Sequence, residues 1–276
     1  MSLGDGAGGG KPVSELRKRV ISALVLAPIV LGMVWWGGYV FAALAALVSV
    51  LIIHEWTTIV GDRSPLALVG GFGAVLAAVA LATAGLPAWA LLPLAIMTAL
   101  ALGLGHGWLA RGVVYAGLTG IAMVALRSAS GDGLNAILFV IAVVWATDIL
   151  AYFTGRAIGG PKLWPRVSPK KTWSGAVGGL VGAVICGVGV AIYAGAPNLV
   201  PVALVAAVMS VASQAGDLYE SHIKRVFGVK DSGTLIPGHG GVMDRVDGVI
   251  FAVVLAAIIG YGHSGGADLA RGLLIW

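Results

Sequence analysis

The chain contains a single cysteine, Cys186, so it can build neither a disulfide framework nor a cysteine metal cluster. That residue lies inside an apolar run and reads as a structural thiol buried in the membrane. Charge is scarce too: 11% of the 276 residues are Asp, Glu, Lys or Arg, against about 25% in ordinary soluble domains. No polar stretch between the apolar runs is long enough to fold as a soluble domain. No internal sequence repeat is visible, which leaves an inverted-repeat transporter without direct support. The net charge of +5 requires no nucleic-acid partner, because loop topology and anionic lipid headgroups account for it.

What the chain has in abundance is apolar sequence: 59% hydrophobic residues and a mean hydropathy of +0.98. Apolar runs of roughly 20 residues recur along its length, each long enough to cross a bilayer as a helix. The expected fold is therefore all-α, a polytopic integral membrane protein with about nine transmembrane helices. Their spans fall near 20–36, 39–55, 66–85, 87–105, 112–127, 134–155, 173–195, 197–222 and 243–262. Residues 1–19 read as a Gly-rich, then basic tail, and the Gly-rich part as disordered. The apolar run after it is longer than a signal peptide and opens a series of spans, so it reads as an uncleaved first helix. Residues 20–127 form an N-terminal helical region, 134–262 a C-terminal catalytic domain with loops 156–172 and 223–242, and 263–276 a tail.

Orientation follows from the basic residues. With the N-terminus in the cytoplasm and the C-terminus outside, 15 of the 17 Lys and Arg residues fall on the cytoplasmic side. Arg127 and Arg271 are the exceptions. The expected location is a bacterial cytoplasmic (inner) membrane. His54, Glu55, His106 and His263 stand at predicted span ends and read as interface residues.

Polar residues concentrate in two cytoplasmic regions. The eighth span ends "SQAGDLYESHIKR", where Gln214, Asp217, Ser221 and Lys224 recur at helical spacing beside Glu220. A polar face entering a membrane is costly and marks a functional candidate. The plainer alternative is a snorkelling cluster of Asp217 and Glu220 around Lys224. The ninth span opens "MDRVDG", with Asp244 and Asp247 three apart on one helical face. One aspartate there has an ordinary capping role. Two of them, facing the acidic end of the eighth span, suit a hard cation such as Mg²⁺, which takes one or two carboxylates and completes its shell with water and phosphates. "PGHGG" before them (Pro237 to Gly241) has the glycine density that brings backbone N–H groups close to an anion. His239 within it suits a phosphate donor, a proton shuttle or a turn residue. Lys224, Arg225, Lys230 and Arg245 surround these acids with positive charge, as phosphoryl transfer requires, although some of them merely obey topology. In the sixth span Asp148, Tyr152 and Arg156 are four apart, and "SPKKT" then supplies Ser168, Lys170, Lys171 and Thr172 at a helix N-terminus. A simple cytoplasmic anchor is the alternative for that loop.

The segment "SHIKRVFGVKDSGTLIPGHGGVMDRVD", Ser221 to Asp247, resembles the signature of the phosphatidate cytidylyltransferases, or CDP-diacylglycerol synthases. The matching pattern is S-x-x-K-R-x-x-x-x-K-D, then P-G-H-G-G, then D-R-x-D. The resemblance extends to "DxxAYxxGR" and "SPKKT", with two departures: Ile149 where Thr or Ser is common, and Ser174 near a common Glu. It implies transfer of the cytidylyl group of CTP to phosphatidic acid, with Mg²⁺ and room for a second cation such as K⁺. Asp217, Asp244, Asp247 and Glu220 would then be metal ligands, with Asp231 and Asp247 also able to orient Lys230 and Arg245. Lys170, Lys171, Lys224 and Arg225 would bind phosphates, with Ser168, Thr172, Ser221, Lys230, Gly240, Gly241, Arg245, Asp148, Tyr152 and Arg156 around the substrates. A phosphate monoester is already ionised near neutral pH, which demotes His239 as a base. The expected partners are CTP, phosphatidic acid, membrane lipids and, from the small residues on lipid-facing helices, a second copy in a homodimer. The alternatives are another lipid-phosphate nucleotidyltransferase and a cation transporter. The acids cluster at one face rather than at the midplane, which argues against transport.

Overall fold

The computed structural model describes residues 12–128, 131–236 and 240–276, with the side chains of the first helix described from Leu24 onward. The helices run in order α1 Pro12–Trp36, α2 Gly38–Val60, a π-helical turn Leu66–Gly71 that continues into α3 Phe72–Thr83, α4 Pro87–Gly103 and α5 Gly107–Ser128. After these come α6 Gly133–Ile158, a hairpin of β1 Lys162–Trp164 and β2 Ser168–Thr172, α7 Trp173–Tyr193, α8 Leu199–Val226, α9 Met243–Ser264 and α10 Leu269–Leu274. Local chemistry fixes several starts. Pro87 opens α4, where its missing N–H costs nothing. Asn198 caps α8 by accepting from Val200 N at 3.2 Å, and Thr172 caps α7 by accepting from Gly175 N at 3.1 Å.

Two apolar cores organise the bundle. One joins α2 to α5 and reaches Ile223, Met243 and Ile250; the other joins α1, α2 and α5 to α10. Trp56, Trp108, Tyr115, Tyr219, Phe227 and Phe251 stitch α2 and α5 to α9 and the end of α8, with ring centroids 5.0–6.5 Å apart. The crossing of α6 and α7 is closer still. Gly175 and Gly179 lie one turn apart, and a Cβ on either would meet the carbonyl of Ala151 or Thr147. Small residues at this spacing are how helices approach in lipid.

Among the described residues, seven helices are long and apolar enough to cross a membrane, while Leu24–Trp36 and Pro87–Gly103 are shorter apolar helices. At 1.5 Å per residue the 17 residues of α4 rise about 26 Å, short of a hydrocarbon core of roughly 30 Å. Seven of the nine expected spans are thus matched by helices long and apolar enough to cross, and α1 and α4 stand at the positions of the other two. The all-α expectation holds, with one small addition: "KLW" and "SPKKT" pair as an antiparallel hairpin. Helix α1 already begins at Pro12, inside the stretch read as a tail, and part of the C-terminal tail folds as α10, with Asp268 accepting from Arg271 N at 3.0 Å. Cys186 is exposed on the surface of α7, within the Trp173–Tyr193 span. Glu55 does not face outward: α2 runs five residues beyond it, and the residue is 2% exposed. His106 Nδ1 instead meets Asp62 Oδ2 at 2.8 Å, and His263 stacks on Trp276.

Candidate active site

Helix α8 is polar on one side for its last three turns, and two groups of charged residues form around it. The first lines a cleft of about 540 Å³ between α6, α7, the hairpin and α8. Asp148, Tyr152, Arg156, Lys162, Lys170, Lys171, Thr172, Gln214 and Asp217 all face it. Lys171 forms an ion pair with Asp217, and Ser221 Oγ lies 3.4 Å from the other carboxylate oxygen. Arg156 Nη1 donates to Tyr152 Oη at 2.9 Å, one turn away. The volume falls within the roughly 300–1,000 Å³ usual for small-molecule sites. The cations come from three separate elements, so the cleft gathers positive charge beside the carboxylates of Asp148 and Asp217. Ile149 and Ser174, the two departures from the family pattern, do not line it. Ile149 is 53% exposed on the outside of α6, and Ser174 Oγ donates to the Gly159 carbonyl at the loop.

The second group lies where the segment after α8 meets the start of α9. Lys224 Nζ sits between two carboxylates, 2.8 Å from Glu220 Oε2 and 2.6 Å from Asp244 Oδ1. Asp244 Oδ2 accepts from Ser232 N at 2.8 Å, Ser232 Oγ at 2.9 Å and Gly241 N at 2.9 Å. Two backbone N–H groups hold that oxygen, and the single proton of the Ser232 hydroxyl lies within reach of both it and Glu55 Oε2, which leaves Oδ1 for exchangeable chemistry. Glu220 is fully buried, and its Oε1 has no partner among the described residues. Gly240 holds φ +82, and a Cβ there would press on Asp244 Oδ2 at 2.8 Å. The glycines predicted to cradle an anion therefore cradle the protein's own carboxylate.

The structure brings together Asp148, Tyr152, Arg156, Lys170, Lys171, Thr172 and Asp217 in the cleft, and Glu220, Lys224, Gly241 and Asp244 in the second group. Asp217 is within electrostatic reach of Asp148 and Asp247, and Asp247 of Glu220, so a line of acids joins the two groups. Asp247 Oδ1 accepts from its neighbour Gly248 N at 2.7 Å. Ser168 starts β2 opposite Trp164, which stacks on His222 of α8. Arg225 reaches the hairpin carbonyl of Val167 at 3.5 Å, away from the acids. Lys230, Asp231 and Arg245 are exposed, and His239 lies outside the described residues. No three described His, Cys, Asp or Glu side chains converge as a ready metal cage. Mg²⁺ needs only one or two carboxylates, and this donor set fits it: a lysine ammonium already occupies the point where Asp244 and Glu220 meet.

Sequence reasoning passed over Glu55. From α2 its Oε1 accepts from Val242 N at 2.8 Å, and its Oε2 accepts from Met243 N at 2.7 Å and Ser232 Oγ at 2.8 Å. The available signal was an ionisable residue inside an apolar span.

On the opposite side of α8 lies an apolar chamber of about 610 Å³. It is lined by Thr98, Arg111, Tyr115, Tyr219, Phe251, Val254 and Ile258, among others. Arg111 rests 4.4 Å over the Trp108 ring. Thr98 Oγ1 and Tyr115 Oη are buried without a hydrogen-bond partner among the described residues.

Comparison with known proteins adds an independent line. The profile of the cytidylyltransferase family matches residues 17–261. The phosphatidate cytidylyltransferase of Brucella abortus (strain 2308) is 42% identical over 257 residues, covering 90% of this chain and 94% of that protein. Those of Staphylococcus haemolyticus and Bacillus subtilis are 43% and 38% identical over 148 residues, 53% of this chain and 56% and 55% of theirs.

Proposed function

This chain belongs to the cytidylyltransferase family, and from that premise we propose how its two polar groups and its apolar chamber divide the work of cytidylyl transfer. The reaction joins CTP to phosphatidate, giving CDP-diacylglycerol and releasing pyrophosphate. The phosphate monoester of the lipid attacks the α-phosphorus of CTP, so one P–O bond forms as the bond to the leaving pyrophosphate breaks. The observation that carries the assignment is the cleft, where lysines and an arginine from three elements surround Asp217.

In this reading the triphosphate enters the cleft, where Lys170, Lys171 and Arg156 offset its charge. Lys171, which pairs with Asp217 before substrate arrives, transfers its hydrogen bonds to phosphate oxygens. Lys224 makes the equivalent exchange from Asp244 Oδ1. Asp217 and Asp244 would hold Mg²⁺, with Glu220 and Asp247 behind them; Asp247, which no described cation pairs with, suits a second cation such as K⁺. Mg²⁺ held there would supply charge neutralisation for the nucleotide phosphates. Fixed cations and oriented amides supply the remaining stabilisation without reorganisation.

The lipid tails are assigned to the apolar chamber. Asp244, Asp247, Phe251, Val254 and Ile258 alternate at three and four residues along α9, so one helical stripe passes from the acids into the chamber. The unpartnered hydroxyls of Thr98 and Tyr115 suit ester carbonyls, which accept hydrogen bonds. A cytoplasmic placement of the polar end is supported by the distribution of basic residues. Arg127, an exception to it, is occupied in capping α1, donating to Val34 and Trp35 carbonyls at 2.8 and 3.0 Å.

The test is direct. Purified protein, Mg²⁺, phosphatidate vesicles and CTP labelled in the cytidine should move label into the organic phase, with one pyrophosphate released per lipid. No label in that phase would reject the assignment.

A further inference from the structure

Glu55 is the one acidic residue of α2, and it comes from the half of the chain without the signature motif. Its carboxylate is almost fully buried, yet the three hydrogen bonds it accepts all come from the segment 232–243. Val242 N and Met243 N are among the donors that the start of α9 leaves without intrahelical partners. Val242, at the cap position, offers no side-chain acceptor of its own. A carboxylate borrowed from another helix does that job and also meets the positive end of the α9 dipole.

The bond to Ser232 takes the effect further. Ser232 Oγ lies 2.8 Å from Glu55 Oε2 and 2.9 Å from Asp244 Oδ2, so one hydroxyl spans two carboxylates, while Ser232 N also donates to Asp244. The chain makes room for this arrangement: a Cβ on Gly241 would run into Ser232 Oγ and Glu55 Oε2. Asp244 Oδ1, the oxygen that holds Lys224, is thereby aimed by a scaffold whose far end is anchored on α2.

We propose that Glu55 is a positioning residue for cytidylyl transfer, acting through Ser232 and the start of α9 to fix Asp244 and Lys224. This rests on the assignment of Asp244 and Lys224 to the active site. Outer partners of catalytic or metal-binding groups typically contribute about 10- to 100-fold in activity or affinity, and that is the size expected here. The loss falls on kcat rather than on KM for phosphatidate, because the chamber is untouched.

The experiment measures kcat and KM for full-length Glu55→Gln, Ser232→Ala and the double variant, per mole of folded protein eluting as one symmetric peak. Amide exchange of residues 231–244 is followed in parallel. Glu55→Gln should lower kcat at least tenfold, keep KM for phosphatidate within threefold and speed exchange selectively in 240–244. The double variant should lose at least threefold less than the product of the single losses, since residues acting through one network are not additive. A kcat above half that of the parent, or a double loss closer to the product, overturns the proposal. If Glu55→Gln does not fold, Ser232→Ala and Gly241→Ala carry the test, and kcat above half the parent in both overturns it. Parent protein without cytidylyl transfer would reject the underlying function instead, so the two failures are distinguishable.

Discussion

The two sides of α8 differ in almost everything except size. On one side a cleft of about 540 Å³ holds Asp217, Gln214 and lysines from the hairpin; on the other a chamber of about 610 Å³ holds Ala212, Tyr219 and the apolar stripe of α9. Two residues of helix separate Ala212 from Gln214 and Asp217 from Tyr219, and two residues are a rotation of roughly 200°. A single helix thus presents water-like chemistry to one side and oil-like chemistry to the other. Under the proposed assignment, a reaction between a triphosphate and a lipid would need no moving partition, because the pattern of one helix holds the polar and apolar environments on opposite sides.

The comparison breaks first at the acids. Asp244→Asn should lower kcat by about 10²–10³-fold, the scale of removing one well-placed charge-stabilising group, while elution profile and yield remain those of the parent. An Asn still accepts from Ser232 and Gly241 but carries no charge for Lys224 or a cation. Near-parental turnover would remove Asp244 from the site. Lys171→Ala is the next test, because it takes a cation from the cleft alone. Hydrogen bonds to charged groups contribute about 1.5–3 kcal/mol, so KM for CTP should rise at least about tenfold, with KM for phosphatidate unchanged. An equal rise for both substrates would mean that the two sides of α8 are not separate compartments.

How much of this was visible in the residues alone depends on whether partners were near in sequence. The polar face of α8 and the Asp244–Asp247 pair were legible because helical spacing puts them together without tertiary knowledge. The crowded motif after α8 was legible as a resemblance, but its geometry was not. Gly240 and Gly241 read as an anion cradle, whereas they pack on Asp244 and Glu55. The hairpin escaped notice since β2 carries two lysines, a serine and a proline, with no alternation to mark it. Glu55 was missed for a related reason: its partners are 177 to 188 residues away, and no local period reaches that far.

The chamber side is sharpened by Val254→Trp, which adds bulk on the apolar stripe without touching a charge. Overpacking of this kind typically costs 1–3 kcal/mol, and the lower end of that range corresponds to a fall of about fivefold in kcat/KM for long-chain phosphatidate. Short-chain substrate should suffer less, and KM for CTP should stay level. A matched fall for CTP would again join the two compartments.

The smallest effect is expected away from both. Asp62 and His106 tie the loop after α2 to the loop before α5 at 2.8 Å, and Ser64 N donates to Asp62 at 3.0 Å. Partial burial pushes the Asp62 carboxyl up, but the hydrogen bonds from Ser64 and His106 outweigh it, so its pKa lies below the usual 3.8. A carboxylate with a depressed pKa adds stability above its unfolded value and loses it as pH falls through the folded one. The contribution is therefore fully present at neutral pH and disappears only below about pH 4. Asp62→Asn should lower Tm by no more than a few degrees at pH 7, leave the kinetic constants for both substrates within twofold, and converge with the parent in acid. A larger kinetic effect would extend the active site to these loops and join the N-terminal half to the chemistry at a second point besides Glu55.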